Sequence, residues 1–144
     1  MYRIVETEDF YPLSVLFNSS GLEVEISKET PEPTLKMWRC EDSKGSLLAG
    51  LTIEKRADVF VLGNLAVAEE MRGNGIGEEL LVLAEKEAAA MSADEFWLVG
   101  KVPEFYKKYG WEEVSREEAP EISKCLRCRQ FGESCFPSIM KKVF

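Results

Sequence analysis

The stretch Asn64–Leu81, NLAVAEEMRGNGIGEELL, decides how this chain is interpreted. It starts with the apolar end of a β-rich run, places glycines at positions 73, 75 and 77, and then turns into a helical pattern. Because glycine loses more conformational freedom on folding than other residues, a cluster of glycines indicates an unusual backbone. The sequence must therefore say whether this cluster is a plain turn or a binding site.

The position of the glycines between a strand and a helix favours an anion site. The first turn of a helix leaves backbone N–H groups unpaired, and the helix dipole is positive there. Glycines allow an anion to approach these groups closely, and Arg72 adds a positive charge. No Lys-Ser/Thr follows as in a Walker A loop, and the spacing is not the Rossmann G-x-G-x-x-G. The segment Arg72–Gly77 therefore predicts a diphosphate-sized anion site, with a ligand-free turn as the alternative.

Outside this stretch, apolar periodicity predicts the element order β-α-βββ-α-β-α-β-β. The predicted strands are YRIVE, TLKMWRCED, SLLAGLTIEKR, VFVLGNLAV, EFWLVG, WEEVS and SIMKKVF. The predicted helices lie in DFYPLSVLFNSSG, between Ile76 and Met91, and in PEFYKKYG. The first helix is expected to be capped by Thr7 or Asp9 and ended by Gly21. The pattern indicates a mixed α/β fold whose front half is an antiparallel meander.

Composition limits the classes of function. A length of 144 residues predicts one domain over residues 1–144. The net charge of −8 argues against nucleic acid and favours a cationic partner, or serves solubility alone. The absence of histidine excludes Ser-His and Cys-His nucleophiles and histidine-bound metals. No apolar run is long enough to span a bilayer and no signal peptide is recognisable, so a cytoplasmic location without membrane contact is expected.

The glycine stretch resembles the central motif of the GNAT superfamily of acyl-CoA-dependent N-acyltransferases. That motif is Arg or Gln, two residues, Gly, one residue, then Gly or Ala, and Arg72, Gly75 and Gly77 fit it after an apolar strand ending LAV. The later segment PEFYKKYGWEEV resembles the second motif of the family, with matches at Phe105, Tyr106, Gly110 and Trp111. The resemblance implies a GNAT-like α/β fold with a mostly antiparallel, splayed sheet and helices on both faces.

The resemblance also implies a co-substrate, acetyl-CoA, and a reaction. The pantetheine arm would lie where two parallel strands splay apart and would pair with the backbone of Leu65 and Val67. The pyrophosphate would lie on the amides of Arg72, Gly73, Asn74, Gly75, Ile76 and Gly77. The implied activity is direct acetyl transfer to a primary amine, with a cationic acceptor favoured by the charge. GNAT-like domains often pair, so a homodimer is a further expectation, although no apolar stripe marks an interface.

For catalysis, the family commonly uses the tyrosine of its second motif to protonate the leaving thiolate, which here is Tyr106. Its alternative role is that of a core aromatic. Tyr109 is a nearby competitor, but it stands where the family usually has an apolar residue.

Several residues are candidates for the general base that takes the proton of the amine. Many family members have a glutamate where this chain has Asn64, which could hold a water, and Glu54 on the preceding strand is a carboxylate candidate. Glu69 and Glu70 are expected to be solvated charges. The asparagine that often contacts the coenzyme before the second motif is not evident, and Lys101 occupies that region.

Cys125, Cys128 and Cys135 have C-x2-C-x6-C spacing, and the first pair could chelate a zinc ion. Cys40, Glu121, Glu133 or a water could supply the remaining zinc ligand. The three cysteines could instead hold an iron–sulfur cluster. The alternative without a metal is that the thiols are free or redox-active.

These cysteines lie in a long connection, at about 116–137, between the last two strands. Loops of this length are usually functional. In the family this connection lies toward the acceptor, so the loop is expected to shape the acceptor pocket. Two other functions stay open: a non-catalytic acyl-CoA-binding or sensor module, and a metal or redox module on the same scaffold.

Overall fold

The computed structural model describes residues 1–100, 102–120, 122 and 138–144. Within them the predicted element order is confirmed. The strands are β1 Tyr2–Glu6, β2 Thr34–Asp42, β3 Leu47–Arg56, β4 Val59–Val67, β5 Glu95–Gly100, β6 Glu112–Val114 and β7 Ser138–Val143. The helices are α1 Phe10–Ser19, α2 Ile76–Ala90 and α3 Pro103–Lys107, and an unpredicted single turn of 3-10 helix spans Glu69–Met71.

The strands form one seven-stranded sheet in the order β1-β2-β3-β4-β5-β7-β6. All neighbours are antiparallel except β4 and β5, which are parallel. Pairing between β4 and β5 is confined to Phe60 with Phe96 and Val61 with Trp97. Beyond Val61, the described part of β5 offers β4 no partner, so the sheet opens between these two strands.

Helices cover both faces of the sheet, as the sequence predicts. On one face, called here the α2 face, Leu80 and Ala84 of α2 pack against a core that includes Trp38, Leu51 and Phe96. On the other, the α1 face, Phe10, Leu13 and Phe17 of α1 pack against Met37 and Ala66. The apolar residues of the meander strands therefore alternate between two buried layers.

The ends of α1 match the expectation in part. Gly21 has φ of +84° just after the helix, the left-handed conformation in which glycine is favoured. Asp9 is the N-cap residue, but its side chain makes no capping hydrogen bond. Instead the Asp9 amide donates to Thr7 Oγ1 at 3.1 Å. The prediction of Asp9 as the capping position is therefore confirmed, although its side chain makes no capping hydrogen bond and Thr7 organises the turn before the helix.

None of the helices described is both long and apolar enough to cross a membrane.

Candidate active site

The turn Arg72–Gly77, called here the cradle, has the backbone that its glycines suggest. Gly73 and Gly75 have φ of +86° and +80°, and Gly75 is the N-cap residue of α2. A β-carbon at either position would meet no atom within 4 Å. These glycines are therefore required by the left-handed torsion and not by a close contact.

Most amides of the cradle are free to bind a ligand, but the Arg72 amide, which was expected to contribute, donates to the Glu69 carbonyl at 3.3 Å. Among the residues that the structure describes, no hydrogen-bond acceptor is found for the backbone N–H groups from Gly73 to Gly77. The first turn of α2 adds the positive end of its dipole at the same place. Such an array of donors is suited to an anion with several oxygens, such as a pyrophosphate.

Side chains tie the cradle to the end of β4. The Arg72 Nε donates to the carbonyl of Val67 at 3.2 Å, and the Asn74 side chain donates to the carbonyl of Met71 at 3.0 Å. The Arg72 side chain is thus anchored where the strand enters the turn.

Backbone groups of β4 face the opening in the sheet. The Ala68 amide donates to Leu48 of β3 at 2.8 Å. Because polar groups alternate along a strand, those of Ala66 also point to β3 while those of Leu65 and Val67 point to the opposite side. The bond from Arg72 to Val67 agrees with this direction. An extended ligand lying in the opening would therefore meet unpaired groups of Leu65 and the amide of Val67.

Helix α3 closes the opening on the α2 face. Phe105 lies 3.6 Å from a β-carbon placed on Gly77, which brings α3 against the start of α2. Tyr106 is 6% exposed and packs edge-on against Phe105 and Trp111, with ring centroids 5.1 and 5.9 Å apart. Burial raises the pKa of Tyr106 to about 12, so at neutral pH its hydroxyl carries its proton and can donate it.

Tyr109 is in a different environment from Tyr106. It is half-buried, and its pKa is raised by partial burial, by the charge of Glu78 and by a hydrogen bond to that carboxylate. The structure therefore separates the two phenols, with Tyr106 in the core and Tyr109 beside the first turn of α2.

A β-bulge on the α1 face places a carboxylate at the opening. The register runs from Thr52 opposite Asn64 to Ile53 opposite Leu62, which leaves Gly63 as the extra residue. Glu54 is 6% exposed, and Oε1 accepts from Arg56 Nε at 2.6 Å. A β-carbon on Gly63 would collide with Oε2, Cδ and Cγ of Glu54, the last at 2.8 Å. The absence of a side chain on Gly63 thus makes room for the carboxylate.

Asn64 lies on the same face of the sheet as this carboxylate. Its side-chain nitrogen donates to Thr52 Oγ1 at 3.1 Å, and Thr52 is fully buried. The structure thus places Glu54 and Asn64 on the α1 face, whereas Tyr106 belongs to the α2 face. Glu69 and Glu70 lie exposed in the short helix that follows β4.

Some predicted residues lie outside the described part of the chain. These are Lys101, Glu121, Cys125, Cys128, Glu133 and Cys135. Cys40 is buried in β2, and burial raises the pKa of its thiol. Elsewhere in the described ranges, no group of three or more Cys, Asp or Glu side chains is placed to hold a metal ion.

The sequence reasoning overlooked Gly63 and Thr52. Gly63 carried a usable signal, because a glycine inside a strand often marks a bulge or a close approach. Thr52 carried none, since a threonine in a β-rich run is ordinary.

Comparison with known protein families identifies one family for this chain. The family model described as "Acetyltransferase (GNAT) domain" matches residues 33–113, which is over half of the chain. No curated protein matches the chain in sequence.

Solved structures share the fold at low sequence identity. N-acetylglutamate synthase from Neisseria gonorrhoeae, complexed with coenzyme A and N-acetyl-glutamate, has a TM-score of 0.76 and 18% identity over 99% of this chain. This chain covers only 35% of that synthase. A GNAT-family acetyltransferase from Staphylococcus aureus Mu50 has a TM-score of 0.71 and 14% identity, and 99% of both chains is covered. An IAA acetyltransferase from Bacillus cereus ATCC 14579 has a TM-score of 0.71 and 18% identity, and 100% of both chains is covered.

Proposed function

Because the chain belongs to the GNAT acetyltransferase domain family, we propose that it is an N-acetyltransferase that moves the acetyl group of acetyl-CoA directly onto a primary amine. The observation that carries this proposal is the row of free amides from Gly73 to Gly77, next to the unpaired edge of β4. Together they offer an anion site and an adjoining extended slot, which are the two features that coenzyme A requires.

The proposed binding mode follows from these groups. The pyrophosphate lies on the amides from Gly73 to Gly77, with the Arg72 side chain contributing positive charge. The pantetheine arm runs along β4 and pairs with Leu65 and Val67. Since the Val67 carbonyl already accepts from Arg72, the Val67 amide is the group that pairs there. The thioester then reaches the bulge at Gly63.

The proposed reaction needs two proton transfers. The amine nitrogen attacks the thioester carbonyl carbon, and the C–S bond breaks as the new C–N bond becomes an amide. The proton lost by the amine goes to Glu54, directly or through a water held by Asn64. The leaving thiolate takes the proton of the Tyr106 hydroxyl, and Tyr106 is reprotonated from solvent. Positioning of an already activated thioester supplies much of the rate.

A cationic acceptor is supported by the charges on the α1 face. The segment between α1 and β2 lies on this face, held by hydrogen bonds between Ser27 and Ser14, and it ends where the Lys55 amide donates to Pro33. Its exposed acidic residues are Glu23, Glu25, Glu29 and Glu32. With a net charge of −8, this surface favours the approach of an amine that carries positive charge.

The first test is calorimetric titration of acetyl-CoA into the wild type, an Arg72→Ala variant and an Arg3→Ala control. Arg3 is an exposed arginine of β1 that pairs with Glu41 of β2 and is not part of the cradle. Loss of a charge-assisted contact to phosphate should weaken binding about tenfold in Arg72→Ala and leave Arg3→Ala unchanged. If the wild type fails to bind acetyl-CoA, the proposed function is wrong.

Turnover is tested next by release of the CoA thiol in the presence of a panel of amines. Release with a cationic amine, and formation of its amide, would support acetyl transfer. Binding of acetyl-CoA with no release for any amine would indicate the non-catalytic binding module instead.

A further inference from the structure

A polar network on the α2 face joins three parts of the chain that are distant in sequence. Lys142 of β7 forms an ion pair with Glu85 of α2, and its Nζ also donates to the carbonyl of Tyr109 at 2.7 Å. The other oxygen of Glu85 accepts from Trp111 Nε1 at 3.2 Å. One carboxylate and one ammonium thus tie α2, β7 and the turn after α3 together.

The charged side chains of this network are mostly shielded from water. The side chains of Lys142 and Glu85 are 24% and 17% exposed. A charge pair in such a position is screened less than one on the open surface and gains from its additional hydrogen bonds. The backbone turn that accepts from Lys142 is itself shaped by Gly110, whose φ is +90°.

The network reaches Tyr106 through short contacts. The amides of Tyr109 and Trp111 both donate to the Tyr106 carbonyl, at 2.9 and 3.3 Å. The Trp111 ring, held by Glu85, packs on the Tyr106 ring with centroids 5.9 Å apart. Since α3 runs only from Pro103 to Lys107, it has little internal hydrogen bonding of its own to fix its direction.

We propose that Lys142 and Glu85 are positioning residues for acetyl transfer, which hold α3 so that the Tyr106 hydroxyl faces the sulfur of the coenzyme. This inference rests on the proposed function, in which Tyr106 protonates the leaving thiolate. Removing the ion pair between Lys142 and Glu85 lets the turn Lys108–Trp111 move. The Tyr106 hydroxyl then no longer stays aligned with the sulfur of the coenzyme. Coenzyme affinity changes little, because the cradle amides from Gly73 to Gly77 lie before α2 and in its first turn and make no hydrogen bond to Lys142 or Glu85.

Strand β7 provides a matched control in the neighbouring lysine. Lys141 also pairs with a glutamate, Glu95 at 3.3 Å, but it lies over Trp97 on the α1 face. Lys141→Met and Lys142→Met therefore remove the same charge and one ion pair each, on opposite faces of the same strand.

The experiment uses CoA itself as the probe and needs no acceptor. CoA is bound to each variant, and ionisation of its thiol is followed by the ultraviolet absorbance of the thiolate. Tyr106→Phe, which lacks the donor, sets the reference shift. Lys142→Met and Glu85→Gln should raise the midpoint toward that reference, by about one pH unit or tenfold less thiolate at a given pH. Lys141→Met should match the wild type, and Lys142→Arg should recover most of the wild-type midpoint.

The outcomes separate the inference from the function on which it rests. If the wild type fails to bind CoA, the proposed function itself fails. If CoA binds but Lys142→Met and Glu85→Gln leave the midpoint unchanged, or if Lys141→Met shifts it equally, the positioning role is overturned. The same holds if Tyr106→Phe produces no shift. Glu85→Gln keeps the shape of the side chain and serves in place of Lys142→Met should that variant not fold.

Discussion

The carboxylate of Glu54 occupies the space that a side chain on Gly63 would need. Gly63 is the extra residue of the bulge in β4, and a β-carbon there would meet Oε2, Cδ and Cγ of Glu54. The bulge lies next to the point where β4 and β5 separate, beyond Val61. The missing side chain therefore lets a buried carboxylate reach the place where the proposed reaction occurs.

Gly63→Ala should destabilise the protein by about 1–3 kcal/mol, because overfilling a packed site forces the Glu54 side chain to move. The measurement is urea unfolding in a double-mutant cycle with Glu54→Ala. Most of the cost should vanish in the Glu54→Ala background, where the colliding atoms are gone. An equal cost in both backgrounds would mean that the methyl group meets something other than Glu54.

Glu54→Gln should lower turnover about 100-fold or more, since a glutamine of the same shape cannot accept the proton of the amine. The assay is release of the CoA thiol with the most active amine of the panel. Acetyl-CoA affinity should be unchanged, and Glu69→Gln on the exposed turn after β4 is the control. Full turnover in Glu54→Gln would remove Glu54 from the mechanism.

Gly75→Ala should cost about 1–2 kcal/mol of stability, because an L-residue is strained at the φ of +80° that this position requires. It should also weaken acetyl-CoA binding by distorting the cradle. Gly77→Ala is the comparison, since Gly77 lies inside α2 and its added methyl would make only ordinary contacts, at 3.6 and 3.7 Å. Thermal unfolding without ligand should show Gly77→Ala to be as stable as the wild type or more stable. A loss of stability in Gly77→Ala as large as that in Gly75→Ala would contradict the torsional explanation.

Because of Tyr106, the free energy of unfolding should depend on pH in the alkaline range. Burial raises its pKa from 10.0 to about 12, so between these values the unfolded chain loses the phenolic proton while the folded protein keeps it. The contribution of Tyr106 to the free energy of unfolding is fully present below pH 10. It decreases by about 3 kcal/mol in total as the pH rises toward 12. Urea unfolding of wild type and Tyr106→Phe should therefore differ increasingly in favour of the variant over this range. A difference that stays constant with pH would show that Tyr106 titrates as an exposed phenol.

Local elements could be read from the sequence because their signals are local. Strand β4 and strand β5 have the predicted bounds, Val59–Val67 and Glu95–Gly100, since alternation and apolar runs are decided by near neighbours. The cradle could be recognised for the same reason, because positive φ at Gly73 and Gly75 is a property of the turn itself. The N-cap position at Asp9 was also predicted, but the absence of a hydrogen bond from its side chain could not be read from the residue type.

The choice among candidate side chains depended on tertiary structure. Glu69 and Glu70 were expected to be solvated, and they lie exposed. The sequence left Asn64 and Glu54 open as candidates, and only the register and the bulge place Glu54 over Gly63. The Lys142–Glu85 pair had no sequence signal, since its partners are 57 residues apart.

The sequence by itself determined the order of the elements, the family motifs and the glycine turn before α2, because each arises from residues close together in the chain. Only the tertiary structure decided where β4 leaves β5, which carboxylate reaches that opening and what holds α3 beside it. These relationships depend on strand register and on packing between distant segments, and a shift of one residue in register would move every side chain of the strand to the opposite face.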